Sequence, residues 1–163
     1  NDLLANNILI KNSNNKYVFI DYEYSTYNYP IYDIANYFNE FEIDFNIRTE
    51  SGEFHRNELP ENIDELRRYF VECYCLAHHR KYDEYKDALR NAEEKAKVEA
   101  EVEKMMGQFW LGVMLSNLMW GWWGIKVCKN PNINFDYLQY CKTKYEIYLQ
   151  IKNSGLWKVN KKN

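Results

Sequence analysis

The stretch 109–127, FWLGVMLSNLMWGWWGIKV, limits what this chain can fold into more than any other. An apolar run of that length either crosses a bilayer or lies against a protein core. Ser116 and Asn117 at its centre, tryptophans clustered at 120, 122 and 123, and the dense charge before it favour a buried core helix over stable membrane insertion. A chain of 163 residues with 46% hydrophobic and 28% charged content fits one soluble domain with a real core. A formal net charge of −3 gives no electrostatic case for nucleic acid as the main partner.

The apolar run sits late in an ordered series of signals. Residues 7–11 (NILIK) alternate apolar and polar, NSNN at 12–15 is a turn cluster, and 16–21 (KYVFID) alternate again, which predicts a β-hairpin over 7–21. A Tyr-rich loop with Pro30 leads into a short helix around IYDIANYFNEF, where Ile34, Phe38 and Phe41 recur at helical spacing. Residues 42–60, polar with Gly52 and Pro60, read as a connecting loop. From 63 to 79 the pattern is helical, with Leu66, Phe70, Cys73 and Leu76 on one side. The run 82–104 of Lys, Glu and Ala reads as a long exposed helix, with 105–126 as its buried continuation. NPNIN at 130–134 breaks the chain, and 136–152 forms a last amphipathic helix through Leu138, Cys141, Tyr145 and Tyr148. Cys73, Cys75, Cys128 and Cys141 have no zinc-ligand spacing and read as free thiols in a reducing compartment.

The fold class expected is therefore α+β, mainly α: one hairpin followed by a helical bundle. Free-standing, that hairpin would leave an exposed edge. It makes sense as part of the larger lobe of a two-lobed protein.

Three polar residues bracket the hairpin: Asp2 before it, Asn7 five residues later, and Asp21 at the end of the second strand. Phosphoryl transfer needs a carboxylate near the attacking hydroxyl and oxygen ligands for magnesium on the nucleotide phosphates. An Asp-x-x-x-x-Asn loop followed by a strand ending in Asp is the arrangement of the protein-kinase-like catalytic lobe. The same residues are also ordinary turn formers.

The continuation is more specific. NDLLANNIL, IDYEYSTYNYPIYDIANYFNEF and the later WGWWGI together resemble the choline and ethanolamine kinases, from residue 1 to about 150. In that family a His stands directly before the Asn-Asp with which this chain begins. The resemblance implies the C-terminal, catalytic and substrate-binding lobe of a protein-kinase-like fold over 1–163, with ATP and Mg2+ as cofactors and choline or ethanolamine as substrate. It makes Asp2 the catalytic base and Asn7 and Asp21 the ligands of magnesium and the nucleotide, with Glu23 assisting. Asp33 and Asn36 become structural positions that fix the loop. A quaternary ammonium has no N–H to donate and is held by the faces of aromatic rings, helped by a carboxylate. The family pattern supplies those rings at Tyr24, Trp120, Trp123, Phe135 and Tyr140, with Glu40 as the anionic partner. Trp122 has no family role and reads as core.

NDLL and NEF look like the ethanolamine branch, whereas the short spacing from Glu40 to Asp44-Phe45 is similar to choline kinases, which carry Asp-Tyr there. Choline is the substrate favoured, with Phe45 at a substrate-binding position; its product is phosphocholine, the first step of phosphatidylcholine synthesis. Other readings are an aminoglycoside phosphotransferase-like kinase, against which the aromatic residues speak, and a non-catalytic quaternary-ammonium-binding module. No Gly-rich nucleotide loop or strand lysine is present. The chain is accordingly expected to lack its N-terminal nucleotide-binding lobe, to be inactive alone, to be cytoplasmic, and to belong to a possible homodimer.

Overall fold

The computed structural model describes residues 1–48, 54–78, 92–129 and 135–158, and within 44–56 it describes backbone only. The expected chain break at 130–134 and the start of the charged helix at 82–91 lie outside the described residues.

The N-terminal hairpin forms as its alternation predicts. Strand β1 (Ile8–Lys11) pairs antiparallel with β2 (Lys16–Phe19), from Ile8 opposite Phe19 to Lys11 opposite Lys16. Asn15 closes the connection at φ 54, a left-handed conformation that asparagine tolerates. Leu9, Ile10, Tyr17 and Phe19 are all exposed, so neither face of this ribbon is covered among the described residues.

Helix α1 (Pro30–Glu40) opens on a proline, whose fixed φ suits the first turn, and carries Asp33 in that turn, where the helix dipole favours negative charge. Beyond it the expected loop over 42–60 is wrong. Strands β3 (Ile43–Arg48) and β4 (Phe54–Arg56) pair there antiparallel, with a register irregularity between Asp44 and Arg48. The period-two placing of Ile43, Phe45 and Ile47 is a strand signal that the surrounding polar residues mask.

Among the described residues three further helices follow: α2 (Ile63–His78), α3 (Ala92–Val127) and α4 (Tyr137–Ser154). The 36 residues of α3, about 54 Å at the ordinary helical rise, form the spine. Its stripe Val102, Met105, Phe109 and Val113 packs with Ile31, Ile34, Ala35 and Phe38 of α1, Val71 and Cys75 of α2, and Ile147 and Ile151 of α4. The apolar run is a helix, but one buried along a stripe rather than all round. Among the described residues no helix is long and apolar enough to cross a membrane.

Two helix faces differ from expectation by one position. On α2 the buried residues are Arg67, Val71, Cys75 and Leu76, and Leu66 is exposed. Arg67 takes the inward position because its guanidinium lies 5.1 Å from the ring centres of both Phe109 and Trp110 and pairs with Asp64 at 2.7 Å. Arg68, beside it, bonds Glu99 and Glu103 and ties α2 to α3. On α4 Cys141 is buried as expected, but Leu138 and Tyr145 are exposed, and Tyr140, Lys144, Ile147 and Ile151 are buried in their place. Trp122 is not core either: it is 72% exposed. Gly121 and Gly124 face α4, which turns position 122 outward.

The α1–α3 crossing depends on the missing side chain of Gly112. A Cβ there would stand 2.9 Å from both the Ala35 Cβ and the Ile31 carbonyl oxygen. Since the helices can part only by disturbing the core, Gly112→Ala is expected to cost about 1–3 kcal/mol. Urea unfolding measures it, and an unchanged midpoint would contradict so close a crossing.

Candidate active site

The loop at residues 1–4 has little secondary structure of its own and is held by side chains of α1. The Leu3 amide donates to Asp33 Oδ1 at 3.0 Å, and Asn36 Nδ2 donates to the Leu3 carbonyl at 3.3 Å. Asp33 and Asn36 are three apart, so one helix face presents both, an acceptor for the N–H and a donor for the C=O. Asn36 is fully buried, and its Oδ1 accepts from Ser116 Oγ at 2.6 Å and from Trp120 Nε1 at 2.7 Å. One amide thus joins the N-terminal loop, α1 and α3. These are the structural roles expected for Asp33 and Asn36.

The loop is also tied to the segment after the hairpin. Asn1 Nδ2 donates to the carbonyls of Tyr24 and Thr26, and Asn28 Nδ2 donates to Asn1 Oδ1 at 2.7 Å. Asn7 Nδ2 donates to the Asp2 carbonyl at 3.1 Å, and the Ile20 amide donates to the Asn7 carbonyl at 2.9 Å. Asp21 follows at φ 62, a left-handed turn that ends the strand. These bonds hold Asp2, Asn7 and Asp21 at the open end of the hairpin.

A cavity of about 350 Å3 opens beside this loop. Asp2, Asp21, Glu23 and Glu40 bring carboxylates to it, and Tyr24, Trp120, Trp123, Phe135, Tyr137 and Tyr140 bring rings. Trp120 meets Tyr24 and Trp123 edge-on at 5.4 Å, and Phe135 meets Tyr140 at 5.7 Å. Trp123 Nε1 donates to the Tyr24 hydroxyl at 2.8 Å. Both indole N–H groups are therefore used within the protein.

The concentrated carboxylates tell on the titratable groups. Burial first, then the charges of Glu40 and Asp21, push Asp2 up to about 6 from an ordinary 3.8. Burial and the charges of Glu40 and Asp2 likewise push the Tyr140 phenol well above its usual range, so it stays neutral. Lys144 brings a positive charge to these carboxylates: fully buried on α4, its Nζ donates to Glu40 Oε1 at 3.1 Å.

Nearly all residues singled out from the sequence converge here. Asp2, Asp21 and Tyr24 also line a neighbouring cleft with Asn7, so Asn7 faces the hairpin side rather than the aromatic cavity. Among the described residues no group of three or more His, Cys, Asp or Glu forms a metal cage. The Phe45 side chain lies outside the described residues. Lys144, Tyr137 and Asn6 were not anticipated. The spacing of Lys144, one turn after Tyr140, was the available signal for it.

A family model described as Choline/ethanolamine kinase matches residues 1–149. Ethanolamine kinase 1 of Mus musculus is 33% identical over 156 residues, 93% of this chain and 37% of that protein. Probable choline kinase 3 of Arabidopsis thaliana is 31% identical over 155 residues, 91% of this chain and 38% of that protein. Probable ethanolamine kinase A of Dictyostelium discoideum is 32% identical over 156 residues, 96% of this chain and 38% of that protein. The chain spans well under half the length of these relatives.

The raised Asp2 carries a stability consequence. With its folded value above the ordinary 3.8, the folded state binds the proton more tightly than the unfolded chain, so stability is lost as pH rises through the interval from 3.8 to about 6. Asp2 is partly exposed, and solvent screening reduces the cost to about 1 kcal/mol. In metal-free buffer Asp2→Asn is expected to raise stability by about that amount near pH 8 and by nothing near pH 4. Urea unfolding at both pH values tests this; a less stable variant at the higher pH would contradict it.

Proposed function

This chain belongs to the choline/ethanolamine kinase family, and from that premise we propose that its cavity receives choline for phosphorylation of the hydroxyl by ATP. The observation that carries the proposal is the meeting of the Asp2 carboxylate and the aromatic rings in a single cavity of about 350 Å3. An amino alcohol has a cation and a hydroxyl a few bonds apart, and the cavity has rings for the first and a carboxylate for the second.

In this reading Asp2 accepts the hydroxyl proton as the substrate oxygen attacks the γ-phosphorus, and ADP leaves with the electrons of the broken P–O bond. A partly desolvated carboxylate with a raised proton affinity is a better base than a solvated one. The neighbouring oxygens fit Mg2+, which is bound through one or two carboxylates together with substrate phosphates rather than by an all-protein cage. Asn7 uses its amide N–H on the Asp2 carbonyl, leaving its oxygen for that role beside Asp21, which lines both clefts, with Glu23 on the lining of the aromatic cavity. The chemistry such an ion supplies is neutralisation of phosphate charge. The Gly-rich loop and phosphate lysine of this kinase architecture would come from a preceding lobe, and this chain alone would bind the amine and turn over little or none.

The preference for choline rests on the rings. Both indole N–H groups are committed to Asn36 and Tyr24, so the tryptophans offer a ligand mainly ring surface, which suits a quaternary ammonium without N–H donors. Ethanolamine is the second reading, favoured by the similarity to proteins named ethanolamine kinases and by the carboxylate of Glu40 at the cavity.

Two measurements test the proposal. Competition between the two amines is expected to give choline the higher kcat/KM, and a higher value for ethanolamine would reverse the preference. Asp2→Asn in the full-length enzyme is expected to lower kcat by about 1,000-fold or more while choline affinity stays within about threefold. Surviving turnover would remove Asp2 as the base.

A further inference from the structure

Lys144 is the most deeply buried cation in the described structure, with no side-chain surface open to solvent. It lies one helical turn after Tyr140 on α4, and its Nζ stands 5.3 Å from the Tyr140 ring centre. It pairs with Glu40 Oε1 at 3.1 Å, and Glu40 is itself mostly covered, ends α1 and lines the aromatic cavity.

An ammonium buried this deeply is costly and persists only with a well-placed anion. A helix-end glutamate without such a partner would have three free side-chain torsions and a strong pull towards water. The pair therefore fixes both the position of one carboxylate oxygen and the direction in which the other is presented. It also cancels one unit of the negative charge that Asp2, Asp21, Glu23 and Glu40 bring together.

We propose that Lys144 is a positioning residue for amine recognition: it grips Glu40 by Oε1 so that the remaining carboxylate oxygen serves the substrate cation beside Trp120 and Tyr140. Glu40 then bridges two cations, one built into the fold and one delivered with the substrate. Lys144 does not touch substrate and acts only through Glu40. The inference rests on the amine-binding reading of the cavity and adds to it the residue that sets the geometry of its anionic wall.

The test is a double-substitution cycle in the full-length enzyme, with choline affinity read from indole fluorescence alongside KM, kcat and the melting midpoint. Lys144→Met is expected to weaken choline binding about tenfold or more and to raise KM in step, with kcat within about twofold. Lys144→Arg, which keeps the charge, is expected to restore affinity to within about threefold. Combining Lys144→Met with Glu40→Gln should bind choline no worse than Glu40→Gln alone, because the lysine has then lost the group it acts through. The proposal is overturned if folded Lys144→Met binds choline like the wild type, or if the two losses multiply. Where Lys144→Met does not fold, Lys144→Gln is read in its place, and failure of Lys144→Arg to retain affinity in a folded protein overturns the proposal as well. A wild-type protein that binds neither choline nor ethanolamine would remove the amine-binding reading itself, an outcome separate from an unaltered Lys144 variant.

Discussion

The side-chain amide of Asn36 is the contact on which the rest of the site depends. Its oxygen receives the Ser116 hydroxyl and the Trp120 indole, and its nitrogen reaches the carbonyl of Leu3. In a position closed to water each of these groups would cost about 1–3 kcal/mol if left without a partner. The amide therefore has one favourable orientation, and that orientation sets two distant things together: the loop carrying Asp2 and the ring of Trp120. Asp33, one turn earlier on α1, completes the clamp through the Leu3 amide. A loop without regular structure becomes a fixed part of the site because a helix supplies the hydrogen bonds its backbone lacks.

Around this clamp the site concentrates negative charge at a cost in stability. Four carboxylates share one cavity, and burial, followed by the charges of Glu40 and Asp21, pushes the Asp2 carboxyl up to about 6. A chain optimised for stability alone would disperse these charges. Two partial compensations are visible: Glu40 pairs with buried Lys144, and the rings of Tyr24, Trp120 and Tyr140 pack as a small core of their own with Ile43. The aromatic residues that line the cavity are thus also part of what keeps the chain folded.

Much of this was legible in the sequence. Strand alternation located the first hairpin, 3.6-residue periodicity located the helices, and the NDLLANNIL and IDYEYSTYNYPIYDIANYFNEF blocks carried the family and the residues that converge at the cavity. Two of the failures share a physical cause. The inward faces of α2 and α4 were displaced because Arg67 and Lys144 stand on the buried stripes, their charges satisfied by rings, Asp64 and Glu40. A hydrophobicity pattern counts a basic residue as a surface residue and cannot see the partner that permits its burial. Trp122 failed in the opposite sense: its size argued for the core, whereas its place on the helix turned it outward. The second hairpin was missed because polar residues interrupt its short apolar alternation.

The proposed convergence of carboxylate and rings on one amino alcohol is best examined with choline bound. Nuclear Overhauser contacts from the N-methyl protons of choline, in protein labelled at its aromatic side chains, would locate the cation directly. The cavity described here requires contacts to Trp120, Trp123 and Tyr140. Contacts to the exposed Trp122 instead, or none at saturating choline, would contradict it.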